Sequence, residues 1–211
     1  MDETITSQMI QKRIDGKKTP AGGDRRLLGS AAAAMAQNPR ASMDSIARAC
    51  GIGRATLNRR YSSRQDLMRA IALDTLDVLD EITEEMPDDS SAMDYLNRIL
   101  PSLISLGDRF RVLDQDPALL EIPEIRQALE RQRQESLELS RNLKEEGALD
   151  VSVPDAYFAA ALDGLLFSSW SGIADGFLAS NDAPDLIFRT LFAGLGPVKK
   201  AGNSARSAKQ S

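Results

Sequence analysis

The sequence predicts an all-α protein, and three observations carry that prediction. Aromatic residues make up only 5% of the 211, Ala and Leu are abundant, and no long alternating run of β-branched residues occurs. With 42% apolar residues there is ample material for a core, in one domain or two small ones.

Residues 1–23 are polar, end in "KKTPAGG" and read as a basic, disordered arm. Asp24 can cap a first helix running to about Gln37, with Leu27, Leu28, Ala31 and Met35 on one stripe, and "NPR" closes it. Ser42 stands as the N-cap of the next helix, whose short apolar face is Ile46, Ala47 and Cys50. Gly51 suits a left-handed turn, and Ile52 can fill the angle it makes. The helix from Arg54 to Tyr61 buries Leu57 and Tyr61, four residues apart, and turns Arg54, Thr56, Asn58, Arg59 and Arg60 outward. Ser63 to Asp66 form a weak capping box for a long helix reaching about Glu85, with Pro87 as its stop. Further helices are expected over about 91–106, bent at Pro101, then 108–114 and 122–146, the last ended by Gly147. Ser152 is expected to cap the helix that follows, with Pro154 in its first turn. Asp182 and Pro184 open a final helix ending near Gly194 or Gly196, and 197–211 form a polar, basic tail. No repeat of fixed period is visible.

Composition removes several chemistries. The chain has no histidine and a single cysteine, Cys50, so His-based triads, His-ligated zinc and thiolate cages are excluded. No metal and no cofactor are expected, and no enzymatic activity. No apolar run reaches the roughly 18 residues of a membrane span, and the N-terminus lacks a signal-peptide core. The lone thiol fits a reducing compartment, so the expected location is cytoplasmic, on the nucleoid when bound to DNA.

The net charge of −5 is unevenly spread. Residues 1–70 hold 13 Lys and Arg against 6 Asp and Glu, whereas 71–194 hold 9 against 25. A basic end on an acidic body suits an anionic partner, although an unevenly charged solvated surface gives the same count. The Arg54–Tyr61 segment sharpens the choice, because it has three arginines and no acid. Two helices joined at a glycine, the second basic and exposed, describe a helix-turn-helix that docks on DNA.

The stretch "AAAAMAQNPRASMDSIARACGIGRATLNRRYSSRQDLMRAI" resembles the N-terminal domain of the TetR/AcrR transcriptional regulators. Ile46-Ala47, Ala49-x-Gly51-Ile52, Thr56-Leu57, Tyr61, Ser63-Arg64 and Asp66-Leu67 fall in the family register over about 25–72. Beyond it the match is one of helix count, plus "LKEEGALDVSVPDAYFAAALDGLL", which resembles the family's loop and dimerisation helix. The resemblance implies a three-helix DNA-binding head over 24–72, with its motif at about 42–61. A ligand-binding and dimerisation body over 73–196 is implied as well. It further implies a homodimer, no membrane partner, and a repressor released from double-stranded operator DNA by a small-molecule effector. That effector would tilt the long helix and spread heads that otherwise fit major grooves about 34 Å apart. A helical protein-interaction adaptor without DNA binding is the competing reading.

The residues expected to face DNA are Arg54, Ala55, Thr56, Asn58, Arg59 and Arg60, with Ser42 and Arg64 on phosphate by family position. Three positions depart from the family pattern. Asn58 replaces an aromatic and either pairs with adenine or touches only phosphate; Gly53 replaces Ser or Thr; Arg64 replaces Lys. Lys12, Arg13, Lys17 and Lys18 in the arm either reach DNA or stay solvated. For an effector pocket the candidates are Tyr95, Phe110, Phe158, Phe167 and Trp170, each also suited to plain core. Asp163, alone among apolar neighbours, faces a cationic ligand, a dimer contact or solvent. Ala159, Ala160, Ala161 and Gly164 suit close helix packing between subunits.

Overall fold

The structure is a computed structural model, which describes residues 22–84 and 91–195. The arm with Lys12, Arg13, Lys17 and Lys18, the Pro87 stop and the tail from 197 lie outside the described residues. Among the described residues there are nine α-helices and no strand: α1 Gly22–Gln37, α2 Met43–Ala49, α3 Arg54–Arg60, α4 Arg64–Glu84, α5 Ala92–Ser105, α6 Gly107–Asp114, α7 Pro123–Glu145, α8 Asp155–Ala174 and α9 Ala183–Leu195. A 3-10 turn, Pro117–Glu121, precedes α7; the sequence reading did not anticipate it.

Local chemistry accounts for most boundaries. Ser42 Oγ accepts the Ser45 N–H at 3.2 Å, and Ser63 Oγ accepts that of Asp66 at 3.0 Å. The Asp66 carboxylate takes the Ser62 hydroxyl, and hydrogen bonds from Ser62 and Ser63 together hold it below the ordinary carboxylate range. At the start of α5, Ser91 Oγ accepts the Asp94 N–H at 3.0 Å. Glu146, at the C-terminal end of α7, accepts those of Ala92 at 2.5 Å and Met93 at 3.3 Å, covering orphan donors from across the body. Pro101 lies inside an α5 that runs unbroken to Ser105.

One cap differs from expectation. The helix expected to start at Ser152 starts at Asp155, with Pro154 as its N-cap. Ser152 is held in the preceding turn, where both its N–H and its hydroxyl bond Asp150 Oδ1, at 2.8 and 2.7 Å. Asp155 takes over the end of α8, accepting from Ser140 at 2.8 Å and pairing with Lys144 of α7.

Two clusters of buried apolar residues organise the chain. The first joins Leu28, Ala31, Met35, Ile46, Leu57, Leu67 and Ile71 of α1–α4 to Val112 and Leu113 of α6 and Ile125 of α7. The core of the head therefore extends past residue 72 into helices that also build the body. The second packs Leu96 and Leu100 of α5, Leu143 of α7, Phe158 and Leu166 of α8, and Ile187 of α9. Helix α4 spans the distance between them.

Candidate nucleic-acid interface and body cavity

The turn between α2 and α3 follows from Gly51, whose φ of 70° a side chain would strain. Its N–H bonds Arg48 O at 3.0 Å, and the Ile52 N–H bonds Ala47 O at 3.0 Å, closing α2 with two crossed bonds. Leu57 and Ile46 are fully buried, so α3 is pinned by one face. Arg54, Ala55, Asn58, Arg59 and Arg60 are exposed and Thr56 is half-buried. Gly53 is the N-cap of α3 and gives no side-chain bond, which leaves the first amides of the helix open.

The basic residues are not equivalent. Among the described residues no ion pair engages Arg54 or Arg59, whereas Arg60 Nη1 lies 2.5 Å from Asp24 Oδ1 at the start of α1. Arg64 is turned inward. Its guanidinium donates to Ala41 O at 2.9 Å, Pro39 O at 2.8 Å and Gln115 Oε1 at 3.3 Å, clamping the loop that leads to Ser42. Ser42 itself stays exposed while it caps α2.

The body holds a cavity of about 690 Å³. Its wall draws on α4 through Leu79, α5 through Tyr95 and Leu103, α6 through Phe110 and Asp114, and α8 through Asp163 and Trp170. Of the sequence candidates for an effector pocket, Tyr95, Phe110, Asp163, Phe167 and Trp170 are among its lining residues. Phe158 does not: it is completely buried in the second core cluster. Nine residues separate Phe158 from Phe167, which is two and a half helical turns and hence opposite faces of α8.

The Phe110 and Trp170 rings stack at 5.0 Å between centroids and 9° between planes. Trp170 Nε1 donates to Leu103 O at 3.2 Å, which orients the indole. Gly107 lies so close to that ring that a Cβ there would collide with it. Burial pushes the Asp163 and Asp114 carboxyls up, and burial together with the Glu135 charge pushes the Tyr95 hydroxyl up to about 12. Asp114, Glu135 and Arg133 were missed as lining residues. Asp114 did carry a signal, since an acid in the last turn of a helix opposes the dipole.

Helix α6 touches both sites. Phe110 faces the cavity, while its neighbour Arg109 pairs with Asp74 of α4, a carboxylate that is 1% exposed. Arg109 also donates to Arg25 O of α1 at 3.3 Å, and Arg25 bonds Glu81 through both terminal nitrogens at 2.6 and 2.9 Å. Just past α6, Gln115 donates to Met35 O at 3.3 Å and accepts from Arg64. Among the described residues, no group of three or more His, Cys, Asp or Glu could hold a metal ion, and no helix is long and apolar enough to cross a membrane.

Comparison with known proteins agrees with this geometry. Residues 27–71 match the family model "Bacterial regulatory proteins, tetR family". The chain is 33% identical over 102 residues to the HTH-type transcriptional repressor LfrR of Mycolicibacterium smegmatis, a stretch covering 48% of this chain and 54% of that protein. The match thus spans about half the length of that relative. The crystal structure of LfrR in complex with proflavine superposes with a TM-score of 0.67 at 24% identity, over 83% of this chain and 97% of that one. Two others are PfmR of Thermus thermophilus, a TetR family transcriptional regulator, and the ketosteroid regulator KstR2 of Mycobacterium tuberculosis. PfmR gives a TM-score of 0.62 at 17% identity over 82% and 100% of the two chains. KstR2 gives 0.63 at 14% over 85% and 98%. At these identities the structural likeness speaks for the fold alone.

Proposed function

We propose that the chain, whose residues 27–71 match the model of the tetR family of bacterial regulatory proteins, is a homodimeric, sequence-specific DNA-binding transcriptional regulator of that family. Its mode of action is that of a repressor released from its operator by a small-molecule effector. The observation that carries the reading is α3, which is pinned by Leu57 and presents Arg54, Arg59 and Arg60 with no acid among them. Arginines on such a helix hold phosphates and fork onto guanine edges, and the open amides after Gly53 suit a phosphate as well. Asn58 stands where a side chain reads a base or meets the backbone. Ser42 flanks the helix as a further phosphate contact, whereas Arg64, expected on phosphate by family position, is turned inward and anchors the loop before α2 instead.

The dimer reading rests on α8 and α9, where Tyr157, Phe167 and Leu186 are exposed and the space over Gly164 is open. The effector reading rests on the body cavity and on α6, which carries Phe110 into it and Arg109 into the head contacts. A ligand that prefers one position of α6 shifts the heads only as far as that preference extends. The complex of LfrR with proflavine shows a small molecule bound in a protein of this fold, which supports the same use here.

An electrophoretic shift with genomic fragments, followed by footprinting of the retained one, tests the assignment. Two protected half-sites about one helical turn apart are expected. Retention of no fragment, or of all fragments equally, would leave the adaptor reading or a non-specific binder.

A further inference from the structure

We propose that the body cavity is built for an apolar organic cation, received by the carboxylates of Asp114 and Asp163 and the aromatic wall of Phe110 and Trp170. This deepens the reading of that cavity as the effector site and rests on it. The volume of about 690 Å³ suits a drug-sized molecule, and the wall is mostly Leu, Ile, Ala and aromatic rings. The occupant must therefore carry an apolar body; a bare metal ion or a small ammonium ion would leave most of that surface unmatched.

The sign of the occupant follows from the few charged groups. Asp114, Glu135 and Asp163 face the cavity against Arg133 alone. Asp114 and Asp163 are partly open to solvent, and the described residues give neither carboxyl an ion pair or hydrogen bond, while partial burial pushes both up. A partly desolvated carboxylate with apolar neighbours gains from an incoming cation, which supplies the opposite charge. The two acids come from different helices, the last turn of α6 and the middle of α8. Aromatic faces add to the preference, because their quadrupole attracts positive charge. An anion of the same size would meet three acids against one arginine.

The chain supplies its own reporter, since Trp170 is the only tryptophan and lines the cavity. The full chain is titrated with tetraphenylphosphonium and with tetraphenylborate, which share size and shape but differ in charge, while Trp170 emission is followed. The expected result is phosphonium binding at least about tenfold tighter than borate, the equivalent of about 1.4 kcal/mol. Asp114→Asn and Asp163→Asn should each weaken phosphonium binding about tenfold, the double variant should lose the charge preference, and Asp163→Glu should retain it. Because the acidic body offers other carboxylates, these variants decide rather than the bare affinity. Equal binding of both ions, binding of neither, or phosphonium binding untouched by the Asn variants overturns the proposal. The same samples are then added to the footprinted DNA complex. Phosphonium that changes Trp170 emission but leaves the complex intact keeps the cation site and removes the effector-release reading.

Discussion

At the scale of single residues, the arginines of α3 divide by what already holds them. Arg60 is paired with Asp24 at 2.5 Å and remains 44% exposed, so DNA must compete with a carboxylate for it. An exposed pair of this kind is worth about 0.2–1 kcal/mol, less than a phosphate contact in a groove gains, so the exchange favours DNA. Replacing Arg60 by Ala should weaken binding to all sequences alike, and in a dimer the slope of log affinity against log salt should shrink by about 2. An unchanged salt slope would mean that Asp24 keeps Arg60 in the complex. Asn58→Ala is the contrasting case: loss of about 1–3 kcal/mol per half-site on the operator, with non-specific binding intact, identifies a base contact. Equal loss on both kinds of DNA identifies a phosphate contact. Asp163 yields a prediction of a different sort. Burial lifts its carboxyl above the ordinary 3.8, so the folded chain holds that proton more tightly than the unfolded one. The cost of the charge is absent below pH 3.8 and grows as pH rises through the lifted value. Asp163→Asn should therefore melt higher than the parent at pH 7, with the gap closing toward pH 3.8; a lower melting temperature at pH 7 would show a hidden partner for the carboxylate.

At the scale of elements, the helix-turn-helix was legible because its determinants are local. Ser42, Gly51 and Leu57 act within a few residues of where they stand, and the structure adds only which arginine is paired. Phe158 was assigned to the wrong face although helical periodicity alone sets it opposite Phe167. Ser152 failed as a cap because Asp150, two residues earlier, claims its hydroxyl. The importance of α6 was not legible at all: Arg109 meets Asp74 across 35 positions and Arg25 across 84. No pattern in a single sequence announces contacts at that range. The close approach of Gly107 to Trp170 belongs to the same class. Gly107→Ala forces the indole off its stacked position on Phe110, and such overpacking costs about 1–3 kcal/mol. Thermal melting should fall accordingly and Trp170 emission should shift. Unchanged emission would mean that backbone movement of α6 absorbs the extra methyl group.

For the whole molecule, the uneven charge and the exposed apolar face have to be reconciled with a single function. A chain of net charge −5 is compatible with the proposed DNA binding because 25 of its 31 acids lie in residues 71–194, whereas residues 1–70 carry 13 Lys and Arg against 6 acids. At physiological salt, fields fade over about 8 Å, so the acidic body adds little repulsion at the groove. One head of three short helices buries too little to hold an operator against competing genomic sites, and two heads on one frame raise the effective concentration of the second contact. The frame we assign is α8 with α9, where Tyr157 is 59% exposed, Phe167 51% and Leu186 44%, an apolar load that a monomer seldom leaves in water. Gly164 sits on the exposed side of α8, and among the described residues nothing lies within 4 Å of where a Cβ would stand, so a side chain there starts into open space. Gly164→Trp should keep the fold and its thermal transition within about 1 kcal/mol, since exposed helix positions tolerate exchange from Gly. Light scattering should report twice the 23.0 kDa chain mass for the parent and a shift toward 23.0 kDa for the variant. Operator affinity should fall with the dimer, whereas binding to an isolated half-site should not change. A variant that stays dimeric and still holds the operator would move the interface away from this face of α8, and a parent that is monomeric at micromolar concentration would remove the two-half-site arrangement.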